Sequence, residues 1–365
     1  MSRTRISLMF TLLAVLVIAA GLLLYPTHAA TAARDALALC GNVLIPSLFP
    51  FFVLSGLVTE SGLAARLGRL GEGLMRPLFR VCGAGSSALF LGLIGGFPVG
   101  AACAVELNRR GLCSKTETER LLAFCNNSGP AFLFGAVGTG VFHSMRIGLL
   151  LYAVHVSAAI CTGILFRFYR RREPPGHCCA ACASAQPFSA AFPQAVKNAL
   201  FSTLNVCAFV LFFSVLLRIL TEFHVIPALS RLLGGGALAQ CAVTGCLEVT
   251  TGLCALAPTA ETLAPCFILA AALLGFSGLS VHCQVLSLLP KDALSAAPYF
   301  CGKLLHAALS ALFALCITQI PALFPQAVAA FAPNAPHMIG SAYWLFAWFA
   351  LFLAIPIKKH WKMRR

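Results

Sequence analysis

The chain has 365 residues, 59% of them hydrophobic and only 10% charged, with a mean hydropathy of +0.89. A soluble domain carries roughly 25% charged residues, so this chain cannot cover a water-facing surface and needs a lipid bilayer around it. Its net charge of +15 lies in short clusters between apolar stretches, with no basic stripe interleaved with aromatics. That pattern argues against a nucleic-acid partner and fits the positive-inside distribution of membrane loops.

Arg3 and Arg5 precede an apolar run over residues 6–25. The run is long for a secretory signal and suits a spanning helix of about 20 residues, so residues 1–35 are expected to hold a retained first transmembrane helix. Further spans are expected at 36–58, 121–142, 147–166, 198–220, 263–289, 296–320 and 342–357. Two more apolar segments, 86–107 and 236–257, are interrupted by Gly, Pro, Thr or Glu. Arg66, Arg69, Arg76 and Arg80 precede the first of these, and Arg109, Arg110, Lys115 and Arg120 follow it. Basic clusters on both sides put both of its ends on the cytoplasmic face, as a re-entrant hairpin. The second segment lies between weakly charged loops and fits a hairpin entered from the outer face. Two full crossings instead would place Arg109 and Arg110 outside. Arg167, Arg170, Arg171 and Arg172, then Lys358, Lys359, Lys362, Arg364 and Arg365, complete the inner charge. Both termini are therefore expected in the cytoplasm, in an all-α polytopic membrane protein of about eight transmembrane helices plus two re-entrant hairpins.

The two halves have the same order of parts: a span, an amphipathic segment, a broken hairpin, a span interrupted at Ser-Gly, and a last span. Gly95–Gly100 aligns with Gly245–Thr250, and Asn127-Ser128-Gly129 with Phe276-Ser277-Gly278, at offsets of 150 and 149 residues. One half starts outside and the other inside, so the repeats are inverted. The chain divides into residues 1–35, a first repeat over 36–172, a cytoplasmic linker over 173–196, a second repeat over 197–320, and a last helix with a basic tail over 321–365. Inverted repeats with broken helices are the architecture of secondary transporters. Irregular backbone at membrane depth is tolerated where it lines a cavity or is buried in protein, although glycines also serve close helix packing.

Glu248 is the acid expected within the membrane, where an ionisable group is costly and points to function. Thr250 and Thr251 beside it would make an oxygen-rich pocket. Asn126, Asn127 and Ser128, followed by Gly129-Pro130, break one span and supply amide and hydroxyl groups. Ser277, Ser280, His282 and Gln284 do the same in the second half, and Phe97-Pro98 forms the first hairpin's tip. These residues are the candidate solute site: Phe97, Pro98, Asn126, Asn127, Ser128, Glu248, Thr250, Ser277, Ser280, His282 and Gln284. His155 and His306 read as structural hydrogen-bonders.

The 17 cysteines are irregularly spaced and largely inside apolar stretches, so they read as small apolar residues and not as a disulfide framework. His177, Cys178, Cys179 and Cys182 in the linker contain a single C-x-x-C, which is a weak metal signal, and neither metal nor cofactor is expected. The absence of a Walker loop, a His-Glu-x-x-His and a G-x-S-x-G argues against a pump or a common hydrolase. The expected partners are a small-molecule solute, a cation as coupling ion and the lipid bilayer, with oligomerisation open.

Gly95-Gly96-Phe97-Pro98-Val99-Gly100, Glu119-Arg120-Leu121-Leu122 leading into Phe124–Pro130, and Ser277-Gly278-Leu279-Ser280-Val281-His282-Cys283-Gln284 resemble the sporulation integral membrane protein YlbJ family. Proteins of this kind carry a nucleoside-recognition, or Gate, domain, similar to the hairpin-bearing repeats of concentrative nucleoside transporters. Phe97 stands where the family pattern has Tyr. The resemblance implies a multi-pass membrane protein of endospore-forming bacteria, required for the spore cortex. It implies either a secondary transporter of a small, nucleoside-like solute or a non-transporting membrane factor that supports cortex assembly.

Overall fold

The computed structural model describes residues 3–171, 186–256, 262–290 and 293–324. The expected last span, the basic tail and the Cys-rich part of the linker lie outside the described residues. Fifteen α-helices and two π-helical segments are described, and no strand is found among the described residues.

The chain begins with α1 (Arg3–Leu24) and α2 (Pro26–Leu39), joined at Tyr25. A π-helical stretch, Cys40–Leu44, leads into α3 (Ile45–Glu60). The amphipathic α4 (Leu63–Phe79) precedes a helical pair, α5 (Gly85–Gly95) and α6 (Val99–Arg109). After α7 (Lys115–Leu122) the helix is lost through Asn126–Gly129 and resumes as a π-helix over Phe132–Val141, followed by α8 (Met145–Phe166). The second half runs through α9 (Phe188–Glu222), the amphipathic α10 (Val225–Leu232), the short pair α11 (Gly236–Leu247) and α12 (Val249–Cys254), α13 (Leu263–Phe276), α14 (Gly278–Leu288) and α15 (Ala297–Thr318). The order of parts is the same in both halves. Helix α8, helix α9, α13 with α14, and α15 are long and apolar enough to cross a bilayer, and two bent pairs raise the number to as many as six. Leu23 and Leu232 are each 82% exposed. A monomeric soluble surface rarely presents apolar area on this scale, and lipid is the solvent that suits it.

Local chemistry sets the boundaries. Ser114 and Glu117 form a reciprocal capping box at the start of α7, which satisfies two amides that the first turn leaves free. Ser144 accepts from Ile147 N at the start of α8. Helices α5 and α6 have 11 residues each, about 16 Å at 1.5 Å per residue, and a bilayer core is about 30 Å thick. Neither arm can cross. At the base of the pair, Cys82 Sγ lies 3.1 Å from Leu112 O and 3.3 Å from Cys113 Sγ, and Cys82 N donates to Glu117 Oε1 (2.9 Å). Both ends therefore return to one face, which is the hairpin geometry the flanking charges imply.

The helix ends sort the same way. Arg120, fully buried, donates to the carbonyls of Arg80 (2.7 Å) and Tyr169 (2.8 Å), so the ends of α4 and α8 meet at α7. Arg110 pairs with Glu60 (2.5 Å), and Gln186 N donates to Glu60 O (3.2 Å). Glu119 accepts from Ser295 N (2.9 Å) and from the Tyr169 hydroxyl (3.0 Å). Burial, then the hydrogen bond to Glu119, pushes the Tyr169 phenol above its ordinary value. All these groups share the arginine-rich face. At the other end of α9, Tyr25 packs edge-on against Phe223 and His28 lies 3.8 Å from Glu222. Arg146, at the start of α8, donates to Ala322 O just past α15 (2.8 Å).

Candidate functional site

Each hairpin tip rests on the break of the span that follows it. A Cβ on Gly96 would stand 3.0 Å from Gly129 N, and one on Gly278 would stand 2.9 Å from Gly245 O and 3.0 Å from Val249 N. Residues aligned at an offset of 149 in the sequence thus make matching contacts in the two halves. Second arms cross over as well: α6 packs on α14, and α12 packs on the π-helix 132–141.

Helix α15 lies against the first break. A Cβ on Gly302 would meet Ala123 O at 2.4 Å and Ala123 Cα at 2.6 Å, and one on Gly275 would meet Ala307 Cα at 2.7 Å. These two glycines let α15 approach both the first break and α13 closely. One stripe of α15, at i, i+4, i+7 and i+11, carries Tyr299, Lys303, His306 and Ser310, all buried. Lys303 is 1% exposed, donates from Nζ to Asn126 O (3.0 Å), stands 5.3 Å from the centre of the Phe97 ring, and has no ion pair among the described residues. The Tyr299 hydroxyl lies 2.9 Å from His282 Nδ1. His306 Nε2 lies 3.0 Å from His155 O, and the two imidazoles are 4.5 Å apart, centre to centre. Ser128 N donates to His155 Nε2 (3.0 Å).

Around this stripe, buried polar atoms are without partners: Asn126 Nδ2 and Oδ1, Asn127 Oδ1, His155 Nδ1, His282 Nε2, His306 Nδ1 and Ser310 Oγ. Each such atom costs about 1–3 kcal/mol when buried unpaired. Most buried polar groups in folded proteins are satisfied, so a cluster of orphans beside a buried lysine marks a place that a polar ligand would complete. The arrangement offers one lysine amine, two amides and three imidazoles, with no carboxylate hydrogen-bonded to any of them among the described residues.

The structure brings together Phe97, Asn126, Asn127 and Ser128, with His282 joined through Tyr299. It gives the other candidates local duties. Glu248, buried, caps α12 and accepts from Thr250 N (3.1 Å), Thr251 N (2.6 Å) and Thr251 Oγ1 (2.7 Å). Ser277, at φ 79°, donates to Leu274 O (3.4 Å). Gln284 donates to Ser280 Oγ (3.5 Å). Pro98 follows Phe97 in the turn before α6. Sequence reasoning weighed acids, amides, hydroxyls and histidines for the site and missed Lys303, although a lysine inside the apolar segment 296–320 was the signal. The spacing of Tyr299, Lys303, His306 and Ser310 on one helical face was a second signal. His155 and His306, read as bland, face each other at the centre.

Two open cavities lie elsewhere. One of about 470 Å³ near the arginine-rich face is lined by Ser55, Glu60, Glu106, Arg109 and Asn198 among others, and one of about 490 Å³ between α13 and α15 is almost wholly apolar. Among the described residues no group of three or more His, Cys, Asp or Glu is placed to hold a metal ion.

The chain is 31% identical over 317 residues to the sporulation integral membrane protein YlbJ of Bacillus subtilis (strain 168), covering 80% of this chain and 78% of that protein. No protein-family model matches the sequence, and no solved structure matches it.

Proposed function

This chain belongs to the family of the sporulation integral membrane protein YlbJ, and we propose that it acts in endospore formation as a secondary transporter that supplies a small solute needed for the spore cortex. The carrying observation is the buried polar stripe of α15, with Lys303 donating to Asn126 O and unpaired amide and imidazole atoms around it. Transporters of this architecture bind solute near mid-bilayer, where helices are broken. Asn126–Gly129 is such a break, and both hairpin tips abut one. The positive-inside rule makes the arginine-rich face cytoplasmic, with the N-terminus on that side. The cavity beside Glu60, Glu106 and Arg109 then opens toward the cytoplasm as a vestibule.

Lys303 sets the solute class. An ammonium without a carboxylate partner favours a solute with an anionic group or a strong hydrogen-bond acceptor. Phe97 adds an aromatic face beside it. A neutral nucleoside, implied by the Gate-domain resemblance, would use the amides but leave the charge uncompensated.

Proteoliposomes holding the purified chain test this with labelled nucleosides, amino acids and small carboxylic acids. We expect saturable uptake of an acidic solute, lost in Lys303→Met. If no solute moves and Lys303→Met still supports cortex formation in cells, transport is the wrong reading. The chain would then be a non-transporting membrane factor.

A further inference from the structure

The two central histidines have their tautomers fixed by their neighbours. Ser128 N is a backbone amide and can only donate, so His155 Nε2 accepts and the ring proton sits on Nδ1. His155 O can only accept, so His306 Nε2 carries that ring's proton and its Nδ1 is a bare lone pair. Both Nδ1 atoms are buried and unpaired, one a donor and the other an acceptor, on rings 4.5 Å apart. The consequence is asymmetric. His155 cannot take a second proton without losing the Ser128 amide bond. His306 can take one on Nδ1 without breaking any hydrogen bond the structure shows.

We propose that Nδ1 of His306 is a proton site that couples solute passage to proton movement, with His155 held as its neutral neighbour. This rests on the transport reading of the same buried cluster. The groups on the elements around the pair set the coupling. Lys303 lies one turn away on α15, three residues before His306. Tyr299 is on the same helix, Tyr152 is three residues before His155 on α8, Cys125 lies at the first break and His282 is on α14; Gly275 of α13 lies against the His306 carbonyl. No carboxylate is hydrogen-bonded to either ring among the described residues. With no anion at Lys303, its ammonium opposes a second positive charge on His306. An anion on Lys303 removes that opposition, so proton and anion favour each other's binding by the same factor. The proton comes from water on one side, rests on His306 Nδ1 during the crossing, and leaves to water on the other.

Nitrogen-15 NMR of the histidine-labelled full chain in nanodiscs tests this, with His306→Asn to identify the signal. If that variant does not fold, His155→Gln assigns the pair by elimination. We expect His306 as the Nε2–H tautomer at neutral pH, gaining a proton on Nδ1 on acidification, while His155 stays Nδ1–H throughout. Inorganic phosphate, used as the anion probe, should raise the pH at which His306 protonates by about one unit, and Lys303→Met should do so without phosphate. His155 protonating first, His306 as the Nδ1–H tautomer, or a His306 titration indifferent to both phosphate and Lys303, would overturn the proposal. A phosphate-sensitive His306 in a protein that moves no solute in the proteoliposome screen would leave the proton site standing and remove the transport reading instead.

Discussion

The two broken spans share a backbone plan and differ in chemistry. The first opens over Asn126–Gly129, receives the Lys303 ammonium on Asn126 O and leaves the Asn126 side chain unpaired. The second is a left-handed pair, Ser277 and Gly278, and the Ser277 hydroxyl turns back to Leu274 O. Its hairpin tip is likewise closed on itself, because Glu248 caps its own short helix. The two halves share an order of elements, and the unpaired polar atoms gather at the first break. His155 and His306 stand 151 residues apart and meet where the halves face each other. The same interval relates Tyr152 to Lys303, yet Tyr152 donates to Leu93 O (3.3 Å) and Lys303 to the first break.

The largest effect should come from removing the charge that separates the two breaks. Lys303→Met is expected to lower uptake by about 100-fold or more, the order of 3 kcal/mol associated with losing one member of a buried charged contact. Its melting temperature should stay level or rise, because a buried unpaired charge opposes folding. Uptake near the wild-type level would make the two breaks equivalent.

Next comes the close approach that the first break depends on. Gly302→Val places a side chain where a Cβ already meets Ala123 O at 2.4 Å. Overpacking of this kind costs about 1–3 kcal/mol, read as a lower unfolding temperature in detergent. Gly135→Ala, with open space around its Cβ, is the mild control.

Asn126→Ala and Ser277→Ala compare the breaks directly. The first should cut uptake about tenfold while leaving stability unchanged or raised by about 1 kcal/mol, because its side-chain atoms are buried without partners. The second should change uptake by less than about threefold, the loss of one weak hydroxyl hydrogen bond. Equal losses from both would mean a site shared symmetrically by the breaks.

Glu248→Ala should give the smallest change in uptake, under about twofold, with a stability cost of about 1 kcal/mol from the lost cap. Abolished uptake in a folded Glu248→Ala protein would restore the acid to the site and place the chemistry at both tips.

Much of this molecule follows from the sequence. Scarcity of charge fixes the membrane class, and the basic clusters around 86–107 predict a hairpin whose ends the structure places together at Cys82 and Cys113. The recurrence of Gly-rich tips and Ser-Gly breaks at a constant interval gives the order of elements, because a broken helix needs glycine, proline or a self-capping polar residue at the break itself. Those requirements are local and are written in consecutive residues. Partnership is not local. Only the tertiary structure decided that Glu248 turns inward on its own helix, that Lys303 crosses to a carbonyl 177 residues away, and that two ordinary histidines share one centre. A buried polar group is worth what its neighbours make it, and for Lys303 and His306 those neighbours lie in the other half of the chain.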